Sequence, residues 1–291
     1  MQVVSWNRRL WRRLAVLNEK GKMRLSIITI TYNNLAGLRK TAASVREQVF
    51  RDFEWIVVDG GSIDGTPEYL QEIRDVTSKE LNHAIQIVSE SDKGVYDAQN
   101  KGIGMAHGEY CFFLNAGDVF YNAEVVDKMM RETQDGDIVY GNEIVVDGVG
   151  KRVGYCRGVE NPGFVDLYNS CMKHQASFIR RELFDRYGLY DATMRICADW
   201  DWFFRVIAFH DEVRLVYKDV DVSLFEGVGI SSMRPDLVER ETEIIYNRYV
   251  PKRLQADYKV FMRYPWLRQA DNSRIFRFML HVVKYLSKRL R

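Results

Sequence analysis

Val57-Val58-Asp59-Gly60-Gly61-Ser62-Ile63-Asp64-Gly65-Thr66 joins a short apolar run to a glycine-rich turn, and its reading decides the fold. Phe53 to Val58 has the aromatic and β-branched bias of a buried strand. Gly60, Gly61 and Gly65 let the chain turn tightly after it, so Asp59 is expected at the strand's C-terminal edge. Thr66-Pro67-Glu68 then reads as a helix start, with Thr66 as N-cap and Pro67 in the first helical position. Taken alone, the stretch is also compatible with an ordinary strand-to-helix loop, because glycine is a common turn residue.

The neighbouring segments repeat the pattern. Leu25 to Thr31 is a second strand that ends in Tyr32-Asn33-Asn34. Ala84 to Val88 is a third, followed by Ser89-Glu90-Ser91-Asp92-Lys93-Gly94, and Glu109 to Leu114 is a fourth, running into Asn115-Ala116-Gly117-Asp118. Helices are expected between them over Leu35–Gln48, Pro67–Arg74 and Val95–Ala106. Strands alternating with helices imply an α/β fold with a mostly parallel sheet. Four such strands ending in polar loops place a ligand crevice beyond their carboxyl ends. From Asp137 the pattern becomes short strands, Ile138 to Gly141 and Glu143 to Gly148, and from Asp236 it becomes helical, with breaks at Pro251 and Pro265. The resulting division is a basic N-terminal extension at 1–22, an α/β domain at 23–232 and a helical region at 233–291. Gly102-Ile103-Gly104-Met105-Ala106-His107-Gly108 looks like a dinucleotide fingerprint, but a helix precedes it and a strand follows it. That is the reverse of the required order, so it is rejected.

The net charge of +2 is unevenly spread: residues 1–22 carry +5 and residues 274–291 carry +6, which leaves −9 for the body. An acidic body without an aromatic-interleaved basic groove argues against nucleic acid as a partner. Both ends are amphipathic at helical spacing: Trp6, Leu10, Leu14 and Leu17 at one, Ile275, Met279, Val282, Val283, Leu286 and Leu290 opposite basic residues at the other. They fit an anionic membrane surface, and they fit equally well as terminal helices packed on the body. No apolar run approaches the roughly 20 residues of a membrane span, and no signal-peptide core is present. Cys111, Cys156, Cys171 and Cys197 show no metal-type spacing, so a reducing cytoplasmic compartment is expected, with the inner membrane face as the peripheral location where the ends bind lipid in place of the body. The sequence leaves homo-oligomerisation open.

Three acidic loci carry the chemistry: Asp59 with Asp92, Asp118, and the pair Asp199/Asp201 in Ala198-Asp199-Trp200-Asp201-Trp202. An acidic crevice repels a nucleoside diphosphate unless a divalent cation lies between them, and Asp118 offers a hard oxygen for Mg²⁺ or Mn²⁺. Asn115 to Asp118 also reads as a plain β-turn. Asp199 and Asp201 lie among aromatics, where desolvation is expected to raise a carboxylate pKa and favour proton uptake. Two positions apart on a helix they do not share a face, so one is expected to point into the site and the other away. Alternatively they are acids favoured by a helix N-terminus. His174 is either a contact to phosphate or acceptor or a structural hydrogen-bonding group. Phe225 to Ser232 reads as a loop closing over the donor or as an inert connector.

Taken in order, Thr29 to Asn33, Val57 to Thr66, Ser89 to Gly102, Leu114 to Asp118 and Ala198 to Asp201 resemble glycosyltransferase family 2 over roughly residues 24–232. The resemblance implies a GT-A fold and an inverting, metal-dependent transfer of a sugar from a nucleotide-sugar, by family habit a UDP-sugar. The acceptor it implies is a saccharide or lipid-linked saccharide hydroxyl in surface polysaccharide synthesis. By motif it places Thr31, Tyr32 and Asn33 near the nucleotide and Asp59 near the base. Asp92, Lys93, Asn100 and Lys101 fall on the nucleoside or phosphates, with Asn115 and His174 beside the donor. Asp118 becomes the metal ligand and Asp199 the catalytic base, with Asp201 next to it. The chain departs from the family in having Asn115 and Gly117 where successive acids are common, leaving Asp118 as the motif's one carboxylate. A nucleotidyltransferase, or a non-catalytic sugar-binding module of the same fold, are the competing readings. The first lacks a basic phosphate-cradling loop between Thr29 and Asn34.

Overall fold

The computed structural model describes residues 23–80, 85–131, 136–170, 172–227 and 233–262. The two basic ends, Pro265 and most of the expected Phe225–Ser232 loop lie outside the described residues. The chain divides into two compact units at Val238/Glu239.

The first unit is built on a nine-stranded sheet. β1 (Leu25–Thr31) and β2 (Phe53–Asp59) are buried at every position. Near-continuous apolar runs of this kind belong to strands covered on both faces. β2 pairs in parallel with β1 and with β3 (Ile85–Ser89), and β1 pairs in parallel with β4 (Tyr110–Phe113). The register sets Thr31 beside Asp59 and Asp59 beside Ser89, so three strand ends stop at one level. Helices α1 (Leu35–Glu47), α2 (Thr66–Glu80) and α3 (Val95–Met105) supply the crossovers. Asn34 caps α1, its side chain accepting from Gly37 N at 3.0 Å. At α2, Thr66 is already helical and the capping oxygen comes from Asp64, which accepts from the Thr66 amide and hydroxyl. Asp64 also accepts from Leu35 N, tying the starts of two helices together.

Beyond β4 the sheet continues through β8 (Ser177–Arg180), β6 (Ile138–Val146), β9 (Leu215–Glu226) and β5 (Val119–Phe120), with β7 (Arg152–Cys156) pairing β6. β4–β8, β8–β6, β9–β5 and β6–β7 are antiparallel, and β6–β9 is parallel. The two short strands expected over 138–148 are one strand with shifted register around Asn142. Gly141 does not end it. A Cβ there would collide with Val220 O of β9, so the glycine permits a close strand approach. Short helices α4 (Val125–Met130), α5 (Phe164–Asn169) and α6 (Glu182–Tyr187) and the longer α7 (Ala198–Ile207) pack around this half. The core runs from Leu25, Trp55 and Phe112 through Phe120 and Phe178 to Val222, so both halves share one apolar interior.

α8 (Pro235–Tyr249) runs from the end of the first unit into the second, and α9 (Lys252–Met262) follows the expected break at Pro251. Between them the Gln255 amide donates to Tyr246 O and Val250 O, closing the turn.

Candidate active site

Two contiguous cavities open beyond the carboxyl ends of β1 and β4. The first, about 410 Å³, is lined by Thr31, Tyr32 and Asp92. The second, about 520 Å³, is lined by Asp118, Glu143, His174, Asp199 and Glu226. Asn34, Val95, Asn115, Ala116 and Arg195 line both.

In the smaller cavity Tyr32 is largely exposed, and the buried Thr31 Oγ1 has no hydrogen-bond partner among the described residues. Asp92 accepts from Gly94 N at 2.9 Å. Its other oxygen would lie 2.7 Å from a Cβ at Gly60, so that glycine makes room for the carboxylate. Several expected nucleotide contacts are spent elsewhere. Asp59 is fully buried and accepts from Ser62 N, Ser62 Oγ and Ser89 Oγ, holding the glycine-rich turn and not facing the cavity. Asn33 joins the β1 loop to the same turn through Ile63 N and Ser62 Oγ. Asn100 exchanges two hydrogen bonds with the Tyr190 backbone. Lys101 pairs with Glu90 at 3.0 Å and donates to Ser91 O. The Lys93 side chain is exposed, and its carbonyl accepts from Arg195 at 2.9 Å. None of these five residues lines either cavity.

In the larger cavity Asp118 closes the Asn115–Asp118 turn, where Gly117 takes a positive φ of 113°. Thr41 of α1 pins this turn, accepting from Gly117 N and donating to Asp118 O. Burial pushes the Asp118 carboxyl up to about 7. Glu143 and Glu226 push the same way, while His174 and the Glu226 amide oppose them. Burial also raises Glu143, against the pull of Lys173 and His174. Glu226 is paired with Lys40 at 2.9 Å. Among the described residues no three His, Cys, Asp or Glu side chains converge to hold a metal ion.

Asp199 stands at the start of α7. Its Oδ1 accepts from Tyr96 OH at 3.0 Å and Trp200 N at 2.9 Å, and Oδ2 lies 2.8 Å from His174 Nδ1. His174 Nε2 faces Asn115 Nδ2 at 3.5 Å, and Asn115 Oδ1 accepts from Gln99 at 3.4 Å. This chain of donors leads toward one carboxylate and favours an Nδ1-protonated imidazole. Burial works to raise the Asp199 pKa, but the His174 bond and charge, Tyr96 and the Trp200 amide outweigh it and hold the group below its ordinary value. The desolvation-raised pKa expected from the aromatic surroundings is thereby corrected. Asp201 points away: it is buried against Arg205, whose guanidinium donates to the carbonyls of Tyr187, Gly188 and Leu189. Asp201 lines neither cavity.

The sequence reading missed Tyr96, Gln99, Glu143 and Arg195. Tyr96 and Gln99 lie inside the segment that carried the resemblance, one turn apart on α3, and their spacing was the available signal. Glu143 was visible as an acid within an apolar strand. Arg195 had no signal of its own.

A mostly parallel sheet with an acidic double cavity at its carboxyl edge is the arrangement of a GT-A nucleotide-sugar transferase. The family model Glycosyl transferase family 2 matches residues 26–198, and the chain belongs to that family. A PGL/p-HBAD biosynthesis glycosyltransferase of Mycobacterium bovis is 34% identical over 180 residues, covering 61% of this chain and 67% of that protein. An uncharacterized glycosyltransferase of Mycobacterium tuberculosis is 35% identical over 213 residues, 70% of this chain and 76% of the other. Among solved structures, Staphylococcus aureus TarS in complex with UDP-GlcNAc superposes with a TM-score of 0.58 at 18% identity, over 81% of this chain and 70% of that one. The mannosyltransferase PcManGT of Pyrobaculum calidifontis, in complex with GDP-Man and Mn²⁺, gives 0.54 at 19% identity, over 78% and 66%. In the longer TarS structure the match covers 37% of the TarS chain. At these identities the structural likeness speaks for the fold. No helix among the described residues is long and apolar enough to cross a membrane.

Proposed function

We propose that the chain transfers a sugar, with inversion, from a UDP-sugar to a hydroxyl of a saccharide or lipid-linked acceptor. The observation that carries this reading is the continuous crevice that has Tyr32 and Asp92 at one end and the Asp118 and Asp199–His174 groups at the other. A nucleoside diphosphate-sugar is long enough to need both ends. UDP-GlcNAc in TarS and GDP-Man in PcManGT support a donor of this class.

Asp118 fits a divalent cation of the Mg²⁺ or Mn²⁺ kind. It is a buried hard oxygen ligand crowded by further acids, a local excess of negative charge that a cation would relieve. With a single motif carboxylate, the shell would be completed by the donor's phosphates and water. Such an ion would stabilise charge developing on the departing diphosphate. The protein's own part is proton transfer and orientation. As the acceptor oxygen bonds to the anomeric carbon and the carbon–phosphate oxygen bond breaks, Asp199 takes the acceptor's proton. Tyr96 and His174 hold the carboxylate in position throughout.

The test is thermal shift and calorimetry with UDP- and GDP-sugars, with and without Mn²⁺, followed by nucleotide release. Binding that requires both sugar nucleotide and metal, and is lost in Asp118→Ala, is expected. A chain that binds no nucleotide-sugar under any of these conditions would sink the proposal.

A further inference from the structure

Among the described residues, Asn34, Val95, Asn115, Ala116 and Arg195 line both cavities of the crevice and so mark their junction. Of these only Arg195 carries a charge. The walls on either side are weighted the other way. Asp92 lines the smaller cavity, and Asp118, Glu143, Asp199 and Glu226 line the larger, against Lys173 and the His174 imidazole. Lys173 belongs to the larger cavity alone, where its charge acts on Glu143.

The guanidinium is fixed at the junction. Its Nη1 donates to the Lys93 carbonyl at 2.9 Å, next to Asp92 in the chain. A Cβ at Gly94 would stand 3.0 Å from the same nitrogen, and Gly94 takes a φ of +135° that favours glycine, so the backbone here leaves room for the arginine. The bond to Lys93 uses one of five N–H donors in a planar fork that matches the spacing of phosphate oxygens. A latch between two loops needs only a donor. A permanent charge at that place adds attraction for an anion.

The proposed donor supplies one. In a nucleoside diphosphate-sugar the two phosphates lie between the nucleoside and the sugar. With the nucleoside at Tyr32 and Asp92 and the reacting carbon at Asp199, the diphosphate falls at the junction, beside Arg195.

We infer that Arg195 is a diphosphate-binding residue, its guanidinium meeting the donor's phosphate oxygens where the two cavities join. The inference rests on the glycosyl-transfer reading and deepens it, giving to a side chain part of the charge neutralisation that an acidic crevice otherwise leaves to a bound cation.

The experiment compares UDP with uridine on the full chain in Mn²⁺, by calorimetry for UDP and by ligand-observed NMR for uridine. Arg195→Gln keeps a donor for the Lys93 carbonyl and removes the charge, whereas Arg195→Lys keeps the charge and loses the fork. Arg195→Gln is expected to weaken UDP about 10- to 100-fold, the range for a hydrogen bond to a charged group, and to leave uridine unchanged. Arg195→Lys should retain part of the UDP affinity. A purely structural latch would spare UDP in Arg195→Gln, or weaken UDP and uridine alike, and either result overturns the inference. The parent chain separates the two failures. Parent UDP binding that Arg195→Gln leaves intact sinks the Arg195 assignment alone, whereas a parent that binds no UDP removes the UDP-donor reading and this assignment with it.

Discussion

At the scale of single residues, the site turns on how two buried carboxylates are treated differently. Asp199 is held ionised by His174, Tyr96 and the Trp200 amide, while Asp118 is driven toward its neutral form by burial among acids. Replacing Asp199 by Asn should cost turnover about 10²-fold or more, the usual scale for loss of a general base, with UDP affinity by calorimetry unchanged. Tyr96→Phe should cost less, because the His174 bond and the Trp200 amide remain; a loss equal to that of Asp199→Asn would contradict this ranking. Asp118 has a pH signature. Its folded pKa is raised from 3.8 to about 7, so the stability it contributes is fully present below 3.8 and is lost as pH rises through about 7. In chelator, Asp118→Asn should therefore match the parent near pH 4 and melt higher than it at pH 8, at about 2–4 °C per kcal/mol recovered. Identical melting curves across that range would show that the carboxyl titrates normally.

At the scale of elements, the glycine pair on α3 shows what sequence reading could and could not separate. The rejected fingerprint around Gly102 and Gly104 does have a steric role at one position. A Cβ at Gly102 would collide with Ile28 Cγ2 of β1, whereas a Cβ at Gly104 meets nothing within 4 Å. Gly102→Ala should destabilise by about 1–3 kcal/mol through overpacking, and Gly104→Ala should stabilise by about 0.4–1 kcal/mol by restricting the unfolded chain. Urea titrations giving both changes the same sign would contradict this packing of helix on strand. The parallel half was legible for a related reason: β1, β2 and α1 obey local rules of burial and capping that a sequence displays. The strand from Ile138 to Val146 was not, since Gly141 looks like a breaker unless β9 is known to press against it. Within the site, residue types were legible but directions were not. Asp59, Asn100 and Lys101 are polar residues at the right places whose side chains turn to neighbouring backbone and loops, a choice made by tertiary contacts.

At the scale of the whole molecule, charge is the property that the sequence displays most plainly: +5 and +6 at the ends against −9 between them. On the proposed function, an acidic body would suit a crevice that takes a cation together with its donor, and basic ends would suit an anionic surface that carries a lipid-linked acceptor. Each Lys or Arg near such a surface is worth about 1 kcal/mol, and this attraction fades as the Debye length shrinks to about 8 Å near 0.15 M salt. The full chain is therefore expected to float with vesicles containing anionic lipid at low ionic strength, to detach progressively as salt is added, and to stay in solution with neutral vesicles. Apolar insertion alone would give flotation that salt does not reverse, because burial of Trp6, Leu10 or Leu286 is indifferent to screening. A chain that stays down with every vesicle at low salt would mean that the two ends spend their apolar faces on the protein itself, leaving the acceptor to reach the site from solution.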